Sequence, residues 1–291
     1  MIAGLCISAG LPPEAADALQ AAYERICGDE DFRRAQELFF RNCDASATLL
    51  KSVARRFGLP VNTVCGAAVV SLIPQAREIF RSLGIPEEVT EATLRDLAAK
   101  NQESFARCGV WGTFALKWYA RLLAGKILKL GRLEYEEGKW GTEGQEDYAP
   151  WLRVKDRVWK VHIPSNEPFS PDAVTASLRQ AYDYFGIAGT ERKLMPISCA
   201  SWMLSPRLKR ILGEQSNILR FAELFDVYFD RDDREDLWRV FGVQPNEKAD
   251  NLPLDNSLRR GVARWLKNGE TLGFARGILI FDGEKIVNKN M

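Results

Sequence analysis

Lys126-Ile-Leu-Lys-Leu-Gly-Arg-Leu-Glu-Tyr-Glu136 is the stretch at which this chain changes character. Apolar and polar residues alternate through it with the period of two expected of a half-buried strand. Upstream the pattern is different. From residue 13 to about 125, apolar positions recur at i, i+3 and i+4, the spacing of amphipathic helices. Pro13-Glu14 opens a helix carrying Ala18, Leu19, Ala22, Tyr23 and Ile26, which Gly28 ends. Phe32, Leu38, Phe39 and Phe40 belong to a second helix. A third starts at Asp44, turns Leu49, Leu50, Val53 and Phe57 inward and stops at Gly58. Residues 62–83 predict one or two more, because Pro74 must start, kink or break a helix. Residues 87–108 read as one long amphipathic helix, and 114–123 as another. Helices joined by short turns predict an all-helical domain over residues 1–125.

Downstream of Lys126, strand patterns interleave with helices. Residues 126–136 read as a strand, 138–150 as a polar turn or loop, and 151–163 as one or two strands. Ser170-Pro171-Asp172 caps a helix reaching Phe185, with proline at the first helical position. A strand over 195–204, a short helix over 206–212 and a strand-like run over 217–221 follow. Residues 224–229 fit strand or helix; helices are expected over 233–241 and 255–267. Asp282-Gly283 closes a final hairpin between 272–281 and 285–287. Residues 126–291 are therefore expected to form a second domain of mixed α/β type, and the whole chain an α+β protein.

Composition narrows the function. An apolar share of 46% with 27% charged residues is that of an ordinary globular protein, and 291 residues allow two cores. Forty Lys and Arg against 39 Asp and Glu leave a formal charge of +1, which gives no general pull toward nucleic acid or an anionic membrane. The six cysteines (Cys6, Cys27, Cys43, Cys65, Cys108, Cys199) include no Cys-x-x-Cys pair, and there is one histidine. Neither a zinc cluster nor a secreted disulfide framework is expected. The N-terminus lacks the positive region of a signal peptide, and the apolar run from Val61 to Ile73 is too short to span a bilayer. The expected location is the cytoplasm. Nothing in the sequence decides the oligomeric state.

The single histidine, His162, lies in Arg157-Val-Trp-Lys-Val-His-Ile-Pro164, an apolar run closed by proline. A second run, Met195-Pro-Ile-Ser-Cys-Ala-Ser-Trp-Met-Leu204, sets Cys199 and Ser201 on one face of a strand, with Trp202 on the other. The segments Val161-His-Ile-Pro164, Pro168-Phe-Ser-Pro171, Cys199-x-Ser-Trp-Met-Leu-Ser-Pro206 and Ser216-Asn-Ile-Leu-Arg-Phe221 together resemble a family of bacterial acyltransferases. Its members join an N-terminal helical domain to a C-terminal domain like the GCN5-related N-acetyltransferase (GNAT) fold. Asp255-Asn-Ser-Leu-x-Arg260 and Leu272-Gly-x-x-Arg-Gly277 fit the same resemblance.

The resemblance implies acyl transfer from acetyl-CoA or another acyl-CoA to a small-molecule or peptide amine. It also implies a cofactor loop of the form Arg/Gln-x-x-Gly-x-Gly/Ala, whose backbone N–H groups hold pyrophosphate. The chain departs from that loop. The nearest stretch, Glu270-Thr-Leu-Gly-Phe-Ala275, begins with an acid and leads into a strand.

The residues themselves offer both roles and simpler alternatives. His162 has the side chain whose ordinary titration lies near neutrality and can take a proton from an attacking amine; a backbone hydrogen bond at a strand end would explain it equally. Cys199 is an acylated nucleophile only if a nearby cation lowers its thiol, and otherwise a buried packing residue. Ser201 can bind substrate or make a structural hydrogen bond. Glu136, like Glu134, is a candidate carboxylate base on the first strand, or part of a solvated face. Asn217, Arg220 and Arg276 are candidate cofactor-binding residues, with intradomain pairing as the alternative. No metal site is expected: the acidic run Asp230–Asp236 lacks the spacing of a calcium loop. The stripe Trp111, Phe114, Trp118, Tyr119 reads as packing. The expected site is a cleft where strands splay or domains meet, bringing His162, Cys199 and Ser201 together. A catalytically silent GNAT-like protein that binds a partner or small ligand is the alternative.

Overall fold

The computed structural model describes residues 1–141, 145–165, 167, 169–233, 237–242 and 251–288. It divides into two compact units, Met1–Leu128 and Lys129–Met291.

The first unit is helical: α1 (Ala3–Ser8), α2 (Pro13–Ile26), α3 (Glu30–Leu38), α4 (Cys43–Phe57), α5 (Val61–Ser71), α6 (Ile73–Ser82), α7 (Glu87–Leu94), α8 (Asp96–Cys108) and α9 (Leu116–Leu122). Local signals set most boundaries. Asp29 and Asn42 accept hydrogen bonds from the amides of Phe32 and Ala45, and Gly58 ends α4 at φ +60°. Two boundaries escape the sequence. The amides of Ile2 and Ala3, at the start of α1, donate to the side chain of Gln20 on α2, a cap supplied from a distant part of the chain. The single helix expected over 87–108 is α7 and α8. Arg95 between them has φ −65° and ψ −15°, so the backbone barely leaves the helical region and the periodicity runs on.

At the centre lies α5, buried from Thr63 through Val70 and apolar on every side, as a helix wrapped by others must be. The segment before α9 crosses the start of α5 closely. Thr63 Oγ1 donates to the Trp111 carbonyl at 2.8 Å, and the Thr113 amide donates to the Asn62 carbonyl at 2.8 Å. Between these bonds Gly112 adopts φ +139°, and a Cβ there would lie 2.0 Å from the Asn62 carbonyl oxygen. Only glycine fits.

The second unit carries a mixed six-stranded sheet, whose first strand begins two residues before the boundary: β1 (Ile127–Leu130), β2 (Leu133–Lys139), β3 (Arg157–His162), β4 (Met195–Ser201), β5 (Asp226–Arg231) and β6 (Phe274–Phe281). The spatial order is β1-β2-β3-β4-β6-β5. Helices α10 (Pro171–Tyr184), α11 (Asn217–Ala222), α12 (Leu237–Phe241) and α13 (Ser257–Lys267) accompany it. The strand expected over 126–136 is two strands, because Gly131 turns the chain at φ +67° beneath Ser177 and Gln180. The strand-like run at 217–221 is the helix α11, too short for its period to show. The expected strand at 195–204 stops at Ser201, whose Oγ accepts the Met203 amide and starts a short 3₁₀ turn over Trp202–Leu204. Part of the helix expected over 233–241, part of the acidic run, and Pro168 of the family-like segments lie outside the described residues.

Among the registered strand pairs, β3 and β4 are parallel and the rest antiparallel. A parallel pair needs a crossover, and α10 supplies it. Side chains on α10 and just beyond it cover one face of the sheet. Ser177 Oγ bonds Tyr135 Oη at 3.1 Å, Phe185 stacks on Trp159 at 3.6 Å, and Tyr182 packs edge-on against Phe281 at 5.9 Å. Tyr135, Trp159 and Phe281 belong to the same alternate set of strand positions. Glu134, Glu136, Lys160, His162, Ser198 and Arg276 belong to the other set and point to the opposite face.

Candidate functional site

The ladder between β3 and β4 comprises Trp159↔Ile197, Lys160↔Ser198 and Val161↔Cys199. β4 continues to Ser201 past the last of these pairs, and β3 ends at His162. The C-terminal end of this parallel pair is therefore where two neighbouring strands part company inside the sheet. Crevices of this kind, outside the carboxyl ends of parallel strands, are where α/β sheets bind ligands.

His162 stands at that end, opposite Glu134 in the antiparallel register with β2. Its Nε2 lies 3.2 Å from Oε2 of Glu136, two residues further along the same face. With an ionised carboxylate as partner, the contact is made by the tautomer whose hydrogen is on Nε2, which puts the basic lone pair on Nδ1. The Glu136 side chain is 11% exposed and that of His162 27%, so the pair sits at a rim, partly screened from water. The arrangement can accept a proton on imidazole and stabilise the resulting imidazolium with a carboxylate.

Cys199 does not join this pair. Its partner is Val161, the neighbour of His162, so its side chain points to the face that α10 covers. It is buried, and burial pushes its thiol up to about 12. A thiol that stays protonated in dry packing is not a nucleophile. Ser201 lies on the Cys199 face, and its Oγ caps the following turn. The expected convergence of His162, Cys199 and Ser201 is thereby corrected: alternation along β3 and β4 separates the imidazole from the other two. Trp202, expected on the opposite strand face, lies in the 3₁₀ turn and packs with the Leu208–Leu272 cluster.

Asn217, on α11, donates from Nδ2 to the Phe169 carbonyl at 2.6 Å, and Arg220 bonds the side chain of Gln215. Arg276, on the His162 face, has its guanidinium 5.0 Å from the ring of Phe229 and 5.8 Å from that of Phe274.

Two buried cations that sequence reasoning misses, Lys129 and Arg132, come from the β1–β2 hairpin. Lys129 pairs with Glu167. Arg132 donates from Nη2 to the carbonyls of Pro164 at 2.8 Å and Glu167 at 3.1 Å, with its guanidinium 5.0 Å from the Phe169 ring. Burial holds the Arg132 guanidinium below its ordinary range. The signal available in the sequence is Gly131-Arg132: a charged residue just after a positive-φ glycine lies in a turn, from which a long side chain can reach another segment.

Cys199 and Cys65 give a pH dependence whose sign is fixed. Both are buried, and both thiols move from the ordinary 9.0 up to about 12. Above pH 9 the unfolded chain releases these protons while the folded chain keeps them. Their contribution is thus fully present below pH 9 and is lost as the pH rises toward 12. Stability should therefore fall as the pH rises through that window, and less steeply in a protein lacking both thiols. Urea unfolding at pH 8, 9.5 and 10.5, for the wild type and for Cys65→Ala with Cys199→Ala, measures this. Equal slopes in the two proteins would contradict it.

Relatives in sequence and structure extend these observations. The family described as a GNAT-like C-terminal domain matches residues 127–279, and that described as an N-acyltransferase N-terminal domain matches residues 1–125. No curated protein matches the chain in sequence. Among solved structures, the chain is similar to an acyltransferase in complex with decanoyl-CoA and teicoplanin, with a TM-score of 0.73 and 21% identity. It is also similar to an acyltransferase in complex with CoA and 10C-teicoplanin, with a TM-score of 0.71 and 22% identity. An acyltransferase mutant in complex with octanoyl-CoA gives a TM-score of 0.70 at 21% identity. Each match covers 94% of this chain and 86% of the other. At this level of identity the likeness is one of fold.

Proposed function

Since this chain belongs to the family of the GNAT-like C-terminal domain, its matched residues being 127–279, we propose that it transfers an acyl group from an acyl-CoA to an amine, with His162 as general base and Glu136 as its partner. The observation that carries this reading is the position of the His162–Glu136 pair. It lies where the parallel β3–β4 ladder ends, on the face away from α10. The structural relatives bound to CoA, octanoyl-CoA and decanoyl-CoA support acyl-CoA as the donor, and the teicoplanin complexes support a small-molecule amine as acceptor.

The residues fit such a donor without the glycine-rich loop. After β3 the chain runs into α10, a helix of 14 residues capped by Ser170 with proline at its first position. The positive end of its dipole lies there, but Pro171 has no amide hydrogen and Ser170 Oγ takes that of Ala173, so among the first three helical positions the Asp172 amide is the one left for a phosphate. The carbonyls of Pro164, Glu167 and Phe169 are meanwhile engaged by Arg132 and Asn217. These acceptors of the preceding segment are thereby taken up by side chains and do not confront an anion.

The chemistry asked of the side chains is modest. The amine nitrogen forms a bond to the thioester carbonyl carbon, the carbon–sulfur bond breaks, and the sulfur leaves with its electron pair. The proton lost by the amine goes to Nδ1 of His162, and Glu136 holds the imidazolium that results. Cys199 takes no part, so transfer is direct. Cys199→Ala should keep turnover within about threefold of the wild type, and intact-protein mass spectrometry during turnover should show no acylated enzyme. A stable acyl adduct on Cys199, or loss of turnover in this variant, would contradict direct transfer.

The test of the function is amine-dependent release of CoA. Acetyl-, octanoyl- and decanoyl-CoA are each incubated with the full chain and a panel of primary amines, amino sugars and amino-terminal peptides. Free CoA is read by chromatography, because exposed Cys27 and Cys108 would react with thiol reagents. The reading expects CoA release that requires both the protein and an amine. Release no faster than the buffer blank with every donor and amine would favour the silent binding protein.

A further inference from the structure

We infer that Arg132 is a positioning residue for the acyl-CoA site, holding Pro164, Glu167 and Phe169 in place between His162 and the cap of α10. The inference rests on the function proposed above. It goes beyond it by assigning to a buried guanidinium the positioning of the segment that leads into α10.

Arg132 is 6% exposed, and a buried cation is costly unless its hydrogens find partners. Nη2 bridges two backbone carbonyls, those of Pro164 and Glu167, and the guanidinium lies on the ring of Phe169. These contacts begin two residues beyond His162 and end one residue before Ser170, the cap of α10. The same stretch is gripped from two other directions. Lys129 pairs with Glu167, and Asn217 bonds the Phe169 carbonyl while Phe221 packs edge-on against the Phe169 ring at 5.0 Å.

The anchor is tied in turn to the site. Arg132 precedes β2, which carries Glu136, and Ser177 of α10 bonds the Leu130 carbonyl, the Leu133 amide and Tyr135. One cation thus holds the segment that follows the imidazole against the hairpin and, through that segment, the helix start proposed for the phosphates. One terminal nitrogen joins two carbonyls while the flat guanidinium lies on a ring; an ammonium is a point charge on a flexible stem and has no such face to stack. The geometry therefore needs the shape of arginine as well as its charge.

The experiment compares Arg132→Lys, Arg132→Met and Asn217→Ala with the wild type in the full chain. It measures the Kd for CoA by calorimetry, kcat at saturating octanoyl-CoA and amine, and the pH profile of kcat. The expected result is a Kd raised at least tenfold in both Arg132 variants, with kcat within about threefold and the profile unmoved. Asn217→Ala, which frees one carbonyl from an exposed side, is expected to raise Kd several-fold. A wild-type Kd in Arg132→Lys would mean that charge alone suffices and would overturn the inference. So would a loss confined to kcat. If the Arg132 variants do not fold, an unchanged Kd in Asn217→Ala overturns it. Failure of the wild type itself to bind CoA removes the function on which the inference rests, whereas wild-type binding with unaltered variants removes the inference alone.

Discussion

Replacing His162 by alanine is expected to lower kcat for amine acylation by about 100- to 10,000-fold, the usual contribution of a positioned general base. That corresponds to roughly 3–5 kcal/mol of transition-state stabilisation. The effect should fall on kcat, because the imidazole handles a proton that moves only as the amine attacks; KM for the acyl-CoA should stay within a few-fold. A general base acts only when unprotonated, so an acid limb in the wild-type profile that is missing from His162→Ala would assign that limb to the imidazole. Glu136→Gln keeps the hydrogen-bond length but removes the charge opposing the imidazolium, so an intermediate loss of about 10- to 100-fold is expected. Steady-state kinetics across pH 5.5–9 in the three proteins measures all of this. A His162→Ala enzyme with more than a third of wild-type kcat would eliminate the imidazole as base.

Gly112→Ala is expected to be the most damaging single substitution in the helical unit. The new methyl would lie 2.0 Å from the Asn62 carbonyl oxygen and 2.7 Å from the Thr63 amide nitrogen, both backbone atoms at the start of the central helix α5. No side chain can turn away to make room. The position also has φ +139°, which an alanine adopts only under strain. Overpacking and backbone strain together suggest a loss of about 3–5 kcal/mol. The melting transition of the helical unit should then drop by roughly 10 °C. Gly4→Ala is the control: nothing lies within 4 Å of where its methyl would sit, α1 is already helical there, and the change should be neutral or slightly stabilising. Calorimetry resolves the two variants, and a Gly112→Ala protein melting within 2 °C of the wild type would refute the close-approach argument.

The two-part organisation is legible because it is written in period. Helical spacing through residue 125 and alternation from Lys126 are local, and α2, α4, α10 and β6 fall close to where caps, prolines and glycines place them. Boundaries set by distant groups are not legible. The start of α1 is capped by Gln20, and the Gly131 turn is closed by Ser177. The candidate site is legible in part. His162 and Glu136 stand out as the single imidazole and a carboxylate within strand patterns, and they meet at 3.2 Å. Cys199 stands out on the same grounds and points the other way. Its direction depends on register with β3, and a shift of one residue would reverse it. Arg132 escapes notice because a lone arginine in a turn looks solvated until the segment it grips is folded over it.

If the end of the β3–β4 ladder accepts an acyl-CoA beside His162, the intact protein must bind one. Equilibrium calorimetry of the full chain with octanoyl-CoA addresses it most directly. Saturable binding of one molecule per chain is expected, retained in His162→Ala and weakened at least tenfold in Arg132→Met. Absence of binding by the wild type at millimolar octanoyl-CoA, with acetyl-CoA and decanoyl-CoA equally silent, would contradict it.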